Sequence, residues 1–95
     1  MTLKADIDRA LDYIRGEALK AIAEHKPMYS GHEGYAILLE ELEELWDEVK
    51  LYPNQDVAKM ALEAGHLGAM AARFIADVCI GISPADKWLT DPPEN

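Results

Sequence analysis

The sequence predicts an all-α fold with three main helices and a short C-terminal helix, in a bundle that oligomerisation completes. Apolar residues recur at steps of three and four in three separate stretches, which is the spacing of one helix face. No stretch alternates apolar and polar residues with the period of two that strands show. The 95 residues, 49% of them hydrophobic, suffice for one core, so we assign residues 1–95 to a single domain.

The first helix is predicted from Leu3 to His25. Its apolar face consists of Leu3, Ile7, Ala10, Leu11, Ile14, Ala18, Ala21 and Ile22. Aspartates lie toward its start and lysines toward its end, which suits the helix dipole. Pro27 cannot continue a helix, so we expect the break just before it.

The second helix is predicted from a capping box. Ser30 and Glu33 have the Ser-x-x-Glu spacing in which each side chain pairs with a backbone N–H group at the helix start. Its apolar face consists of Tyr35, Leu38, Leu39, Leu42, Leu45, Trp46 and Val49. The helix is expected to end before Pro53.

The third helix is predicted to begin at Asn54 or Asp56 and to run to Ile80, with Gly81 as its terminator. The segment Ser83–Asp86 then offers a cap, a first-turn proline and a third-position acid, which predicts a short last helix through Trp88.

Helix length favours an oligomer. At about 1.5 Å per residue, the first and third helices would be roughly 35 Å and 39 Å long, whereas a compact chain of this size has a radius of gyration of about 12 Å. One side of the third helix carries small residues that allow close packing, namely Ala58, Ala61, Gly65, Gly68, Ala72 and Cys79. We therefore expect a homo-oligomer, most simply a dimer.

Charge and composition exclude several classes of function. Acidic residues outnumber basic ones 18 to 9 and the net charge is −9, so direct binding to nucleic acid is not expected. No apolar run reaches the roughly 18 residues that span a bilayer, and the first residues lack the apolar core of a signal peptide. We expect a cytoplasmic protein that does not enter membranes.

A dense acidic run marks the second helix. Six of the nine residues from Glu40 to Glu48 are acidic, and five of them share one stripe: Glu40, Glu41, Glu44, Asp47 and Glu48. Like charges four residues apart each cost roughly 0.2 to 0.5 kcal/mol, and a cation would offset that repulsion. Two interpretations stay open, a solvated helix face and a site for a divalent metal ion such as magnesium.

A second polar stripe lies on the third helix. Its members are Lys59, Glu63, His66, Arg73 and Asp77. Glu63 and His66 are one turn apart, about 4.5 Å along the axis, so both could face one ion, although such a pair is also ordinary on a protein surface. Asp77 lies about 21 Å from Glu63 along the helix and is expected to pair with Arg73 instead.

The order of these acids resembles a known family. The segment Glu40–Glu44 reads Glu-Glu-x-x-Glu, and Glu63 follows on the next helix after 18 intervening residues. This arrangement resembles the all-α nucleoside triphosphate pyrophosphohydrolases of the MazG-like superfamily, whose pattern is Glu-Glu-x-x-Glu on one helix and Glu-x-x-Asp on the next. The segment Ala69–Phe74, with Asp77, also resembles small MazG-like proteins of phages and prophages.

The resemblance covers helices two and three and implies an activity. That activity is magnesium-dependent cleavage of a nucleoside triphosphate between the α and β phosphates, giving a monophosphate and pyrophosphate. In this reading Glu41, Glu44 and Glu63 hold the metal, and Glu40 is the base. Lys59 or Arg73 contacts the phosphates.

His66 departs from the family pattern, because it stands where the family has its aspartate. Imidazole is a poorer magnesium ligand than carboxylate but suits manganese or zinc, and it could instead hydrogen-bond a phosphate. His66 is therefore a fourth candidate metal ligand. The departure keeps a competing hypothesis open, in which the chain is a non-catalytic helical module that binds a nucleotide or a protein.

Overall fold

Three α-helices in succession form the described part of the chain. The computed structural model describes residues 1–81, with α1 at Lys4–Glu24, α2 at Gly31–Val49 and α3 at Val57–Phe74. α3 continues directly into a π-helix at Ile75–Ile80. These residues include no strand, which confirms the all-α prediction. The short helix predicted from Ser83 to Trp88 lies outside the described residues.

Side-chain caps start α2 and α3 at the predicted residues. The Ser30 hydroxyl accepts a hydrogen bond from the backbone N–H of Glu33 at 3.1 Å. A carboxylate oxygen of Asp56 accepts hydrogen bonds from the N–H groups of Ala58 and Lys59 at 3.0 and 3.2 Å. These contacts pair N–H groups that have no partner within the helix, so the start residues follow from local sequence.

α2 ends before Pro53, as predicted, whereas the end of α3 differs from the prediction. Val49 is the last residue of α2, and the side-chain amide of Gln55 donates a hydrogen bond to its carbonyl at 2.7 Å. The predicted third helix changes from α to π geometry at Ile75. Gly81 has φ −71° and ψ −33°, so it does not adopt the left-handed conformation that a glycine terminator uses.

α3 is the central helix and packs against both α1 and α2. A side chain at Gly65 would overlap the ring of Tyr13, and one at Gly68 would lie 2.8 Å from Ile14. The missing side chains at these two positions therefore let α1 approach α3 closely. Part of the small-residue stripe thus serves packing within the chain. Ala69, fully buried, lies on the same helix.

A row of large apolar side chains along α2 faces away from α3. We call Tyr35, Leu39, Leu42 and Trp46 the α2 apolar stripe. Their exposed fractions are 64%, 39%, 49% and 58% within the described part of the chain. They stand at steps of four, three and four, so they form one continuous surface.

Among the described residues, no helix combines the length and the apolar character that crossing a membrane requires.

Candidate metal centre

The candidate metal centre lies where α2 faces α3, with one contribution from α1. Glu41 stands one turn from Ile37 and from Leu45, all three partly buried, so the packing of these apolar neighbours turns Glu41 inward. On α3, Glu63 and His66 are partly buried one turn apart, and Gly65 between them packs against Tyr13 of α1. The three side chains therefore lie where the helices meet.

Glu41, Glu63 and His66 converge on one another. Each offers one ligand atom, and the three atoms lie within 4.8 Å of each other. The His66 Nδ1 atom is 3.7 Å from a carboxylate oxygen of Glu63, and its Nε2 atom is 3.7 Å from a carboxylate oxygen of Glu17 on α1. Both distances exceed an ordinary hydrogen bond, so the groups face each other without a close contact.

Two carboxylate oxygens in this cluster are buried without partners. Neither Oε2 of Glu41 nor Oε2 of Glu63 accepts a hydrogen bond from any described residue. Buried polar atoms in native proteins are nearly always paired, because an unpaired one loses its hydration without compensation. A cation bound between the two oxygens would supply the missing interaction.

The pKa of the Glu41 carboxyl is raised above its usual 4.5. Burial is the largest cause, since it penalises the charged form, and the negative charges of Glu44 and Glu63 act in the same direction. The nearby His66 partly opposes them. Keeping Glu41 ionised therefore costs free energy unless a positive charge lies close to it.

The donor set fits a divalent metal ion. Two carboxylate oxygens and one imidazole nitrogen suit divalent manganese or zinc, whereas magnesium prefers oxygen ligands alone. With the two unpaired oxygens, this chemistry means that the Glu41/Glu63/His66 cluster could hold such an ion.

The other acidic candidates lie outside the cluster. Glu40 and Glu44 are exposed on α2. Glu44 still acts on the cluster, because its charge contributes to the raised pKa of Glu41. Successive helix residues point about 100° apart, so the acidic run wraps around α2 and only part of it faces α3. Of the predicted metal ligands, Glu41, Glu63 and His66 have ligand atoms within 4.8 Å of one another, and Glu44 contacts this cluster through Glu41.

The two candidate phosphate-binding residues lie elsewhere. Lys59 is exposed in the first turn of α3. Arg73 is only 4% exposed, and its guanidinium donates a hydrogen bond to the Lys26 carbonyl at 2.8 Å. It also lies 3.8 Å from Asp77, which confirms the predicted pairing. Asp77 in turn accepts a hydrogen bond from the backbone N–H of Met28 at 3.0 Å. Arg73 and Asp77 therefore hold the α1–α2 loop against the end of α3.

Glu17 is the member of the site that sequence reasoning missed. It is partly buried on α1, and its carboxylate faces His66. The signal was present, because Glu17 lies between Ile14 and Ala21 at steps of three and four and therefore shares the apolar face of that helix. An acidic residue at such a position requires a polar partner on the facing helix.

A cleft of about 290 Å³ opens beside the cluster, between α1 and α3. Its walls include Glu17, Lys20 and His25 on one side and Glu41 and His66 on the other. The cleft therefore gives a ligand access to two residues of the cluster.

No protein-family model matches the chain, and neither a curated protein nor a solved structure matches it. The functional argument consequently depends on the residues and their geometry.

Proposed function

We propose that the protein is a metal-dependent nucleoside triphosphate pyrophosphohydrolase, as its resemblance to the MazG-like superfamily implies, and that it acts in the cytoplasm. The observation that carries the proposal is the convergence of Glu41, Glu63 and His66 with two buried, unpaired carboxylate oxygens. These residues come from the same two helices that carry the acidic motif. An ordinary solvated helix face would leave its carboxylates in water.

Magnesium is the ion we propose, with manganese as the alternative that the imidazole favours. Glu41, Glu63 and His66 would hold it, and Glu44 is close enough to Glu41 to influence its charge. A bound divalent ion would offset the charge of the phosphates and make a water molecule more acidic.

Glu40 is the proposed general base. It precedes Glu41 on α2 and is exposed to solvent, so water can reach its carboxylate. In the proposed reaction the oxygen of water bonds to the α phosphorus while the bond from that phosphorus to the bridging oxygen breaks. The bridging oxygen leaves with pyrophosphate and the bonding electrons, and Glu40 takes the proton of the water. The products are a nucleoside monophosphate and pyrophosphate.

Turnover should appear in a pyrophosphate-release assay over canonical and modified triphosphates, with magnesium or manganese. His66→Asp should raise the activity in magnesium more than in manganese, because it exchanges an imidazole for the carboxylate that magnesium prefers. A loss of activity in both metals would instead give His66 a catalytic or phosphate-binding role. No turnover by either protein with any substrate would contradict the enzyme and favour the non-catalytic binding module.

We further propose that a second copy of the chain covers the α2 apolar stripe. The four side chains of the stripe are 39% to 64% exposed in one chain, and a contiguous apolar surface of this kind commonly marks a protein–protein contact. Polar side chains border the stripe, since Glu43 and Asp47 lie on its exposed flank. An apolar centre with a polar rim is the usual composition of a protein interface.

Light scattering should therefore give a mass near twice 10.6 kDa, and Leu42→Asp should reduce it to that of one chain because the substitution places a charge in the apolar contact. Leu51→Asp is the matched control, since Leu51 is equally exposed at 49% but lies beyond α2.

Salt should strengthen the dimer, because each copy carries net charge −9 and salt screens the repulsion between the two copies. A native mass of 10.6 kDa at high micromolar concentration would contradict the dimer.

A further inference from the structure

The cleft beside the Glu41/Glu63/His66 cluster contains two basic side chains that the acidic motif does not account for. Lys20 lies one turn after Glu17 on the same side of α1, and His25 is the residue that ends this helix. Both line the cleft together with Glu41 and His66. Neither Lys20 nor His25 forms an ion pair with another described residue, so both have nitrogen atoms available to a ligand.

We propose that Lys20 and His25 bind the phosphate chain of the substrate, with its other end at the metal. This inference rests on the proposed function, because the substrate is a nucleoside triphosphate only if that proposal holds. Phosphate binding is thereby assigned to residues of α1, whereas the family resemblance implied Lys59 or Arg73. Lys59 does not line the cleft, and the guanidinium of Arg73 is committed to the Lys26 carbonyl.

The size of the cleft suits a phosphate chain. At about 290 Å³ it lies at the lower limit of the 300 to 1,000 Å³ typical of pockets that enclose a whole small molecule. Its long wall on α1 presents charged groups at Glu17, Lys20 and Glu24. These charged groups suit a charged phosphate chain better than the apolar face of a base, so we place the phosphates in the cleft.

The charges in the cleft make phosphate binding depend on the metal. Glu17, Glu24 and Glu41 line the same space as Lys20 and His25, so the carboxylates would repel an anion that arrives alone. A divalent ion at the cluster would offset Glu41 and present positive charge to the phosphates. Once the metal offsets the repulsion between the carboxylates and the phosphates, Lys20 and His25 can donate hydrogen bonds to the phosphate oxygens.

Inorganic tripolyphosphate is the probe, because it has the phosphate chain without a nucleoside and lets binding be measured separately from nucleotide hydrolysis. Calorimetry in manganese should detect its binding to the native protein, and omission of the metal should abolish that binding. Lys20→Gln and His25→Gln should each raise the Kd for tripolyphosphate at least about tenfold, because each removes a hydrogen bond to a charged group. Lys59→Gln, an exposed residue outside the cleft, should leave it unchanged.

Manganese affinity, measured by electron paramagnetic resonance, should be the same for the native protein and for Lys20→Gln. The proposal is overturned if tripolyphosphate does not bind the native protein with metal, or if it binds Lys20→Gln and His25→Gln as tightly as the native protein. If both variants hydrolyse nucleotides with an unchanged KM, the phosphate site is contradicted and the proposed enzyme activity is supported. If tripolyphosphate binding depends on Lys20 but no nucleotide is hydrolysed, the proposed enzyme activity is contradicted and the phosphate site is supported.

Discussion

Glu41→Gln should stabilise the protein without a divalent metal and remove the stabilisation that the metal provides. The native carboxylate is partly buried, near Glu44 and Glu63, with one oxygen that has no partner. Glutamine is nearly the same size but uncharged, so the metal-free protein should gain about 1 kcal/mol of unfolding free energy. The same change removes a metal ligand and should lower metal affinity and any turnover at least about 100-fold.

Thermal unfolding with and without millimolar manganese or magnesium measures both effects. Glu43→Gln is the matched control, because Glu43 is an exposed member of the same acidic run outside the cluster. Metal should raise the melting temperature of the native protein and of this control but not that of Glu41→Gln. If metal stabilises Glu41→Gln as much as the native protein, the acidic run is a solvated face.

The raised pKa of Glu41 also predicts how the stability of the metal-free protein depends on pH. Between 4.5 and the raised value, the folded chain holds a proton on Glu41 that the unfolded chain has lost. Folding therefore takes up a proton in this range, and the contribution of Glu41 to stability falls as pH rises through it. The difference in unfolding free energy between Glu41→Gln and the native protein should accordingly grow with pH across this window. A constant difference would contradict the burial of the Glu41 carboxylate.

Arg73→Met should cause the largest loss of stability, about 3 kcal/mol, which lowers the melting temperature by roughly 15 °C. Methionine keeps much of the apolar stem but has no donor for the Lys26 carbonyl and no charge opposite Asp77. The loop between α1 and α2 would lose one of its two polar attachments to the end of α3. The remaining attachment is the hydrogen bond from Met28 to Asp77.

Lys59→Met is the control for Arg73→Met and should change stability by less than about 0.5 kcal/mol, since Lys59 is exposed. Denaturant unfolding of both variants provides the comparison. If Arg73→Met is as stable as the native protein and instead raises the KM for a nucleotide, Arg73 contacts phosphate and does not anchor the loop.

Local sequence accounts for the fold class and for the helix starts. Ser30 and Asp56 use their side chains to pair N–H groups two or three residues away, so the information lies within one turn of the chain. The end of α2 before Pro53 was also predictable, although the hydrogen bond from Gln55 to the Val49 carbonyl six residues earlier was not. The π geometry from Ile75 onward has no counterpart in the apolar periodicity, which is similar for α and π helices over so few residues.

The acidic motif indicated where a metal could bind but not which of its carboxylates face α3. From the sequence, the resemblance to the MazG-like family named Glu41, Glu44, Glu63 and His66 on two consecutive helices as candidate ligands. A run of carboxylates that wraps around α2 does not reveal which of them is turned inward, because that depends on where α3 packs. Glu41 is partly buried beside Leu45, whereas Glu44 is exposed and contacts the cluster through Glu41.

The amino-acid sequence by itself determined three helices, the starting caps of α2 and α3 and a strongly acidic composition, since none of these depends on contacts between distant residues. Only the tertiary structure decided the contacts between helices, including the approach of Glu17 to His66 and the burial of Arg73 against Lys26. The residues in the second pair are separated by 47 positions, and no spacing rule connects them. Each contact joins residues that only the packing of α1 and its following loop against α3 brings near one another.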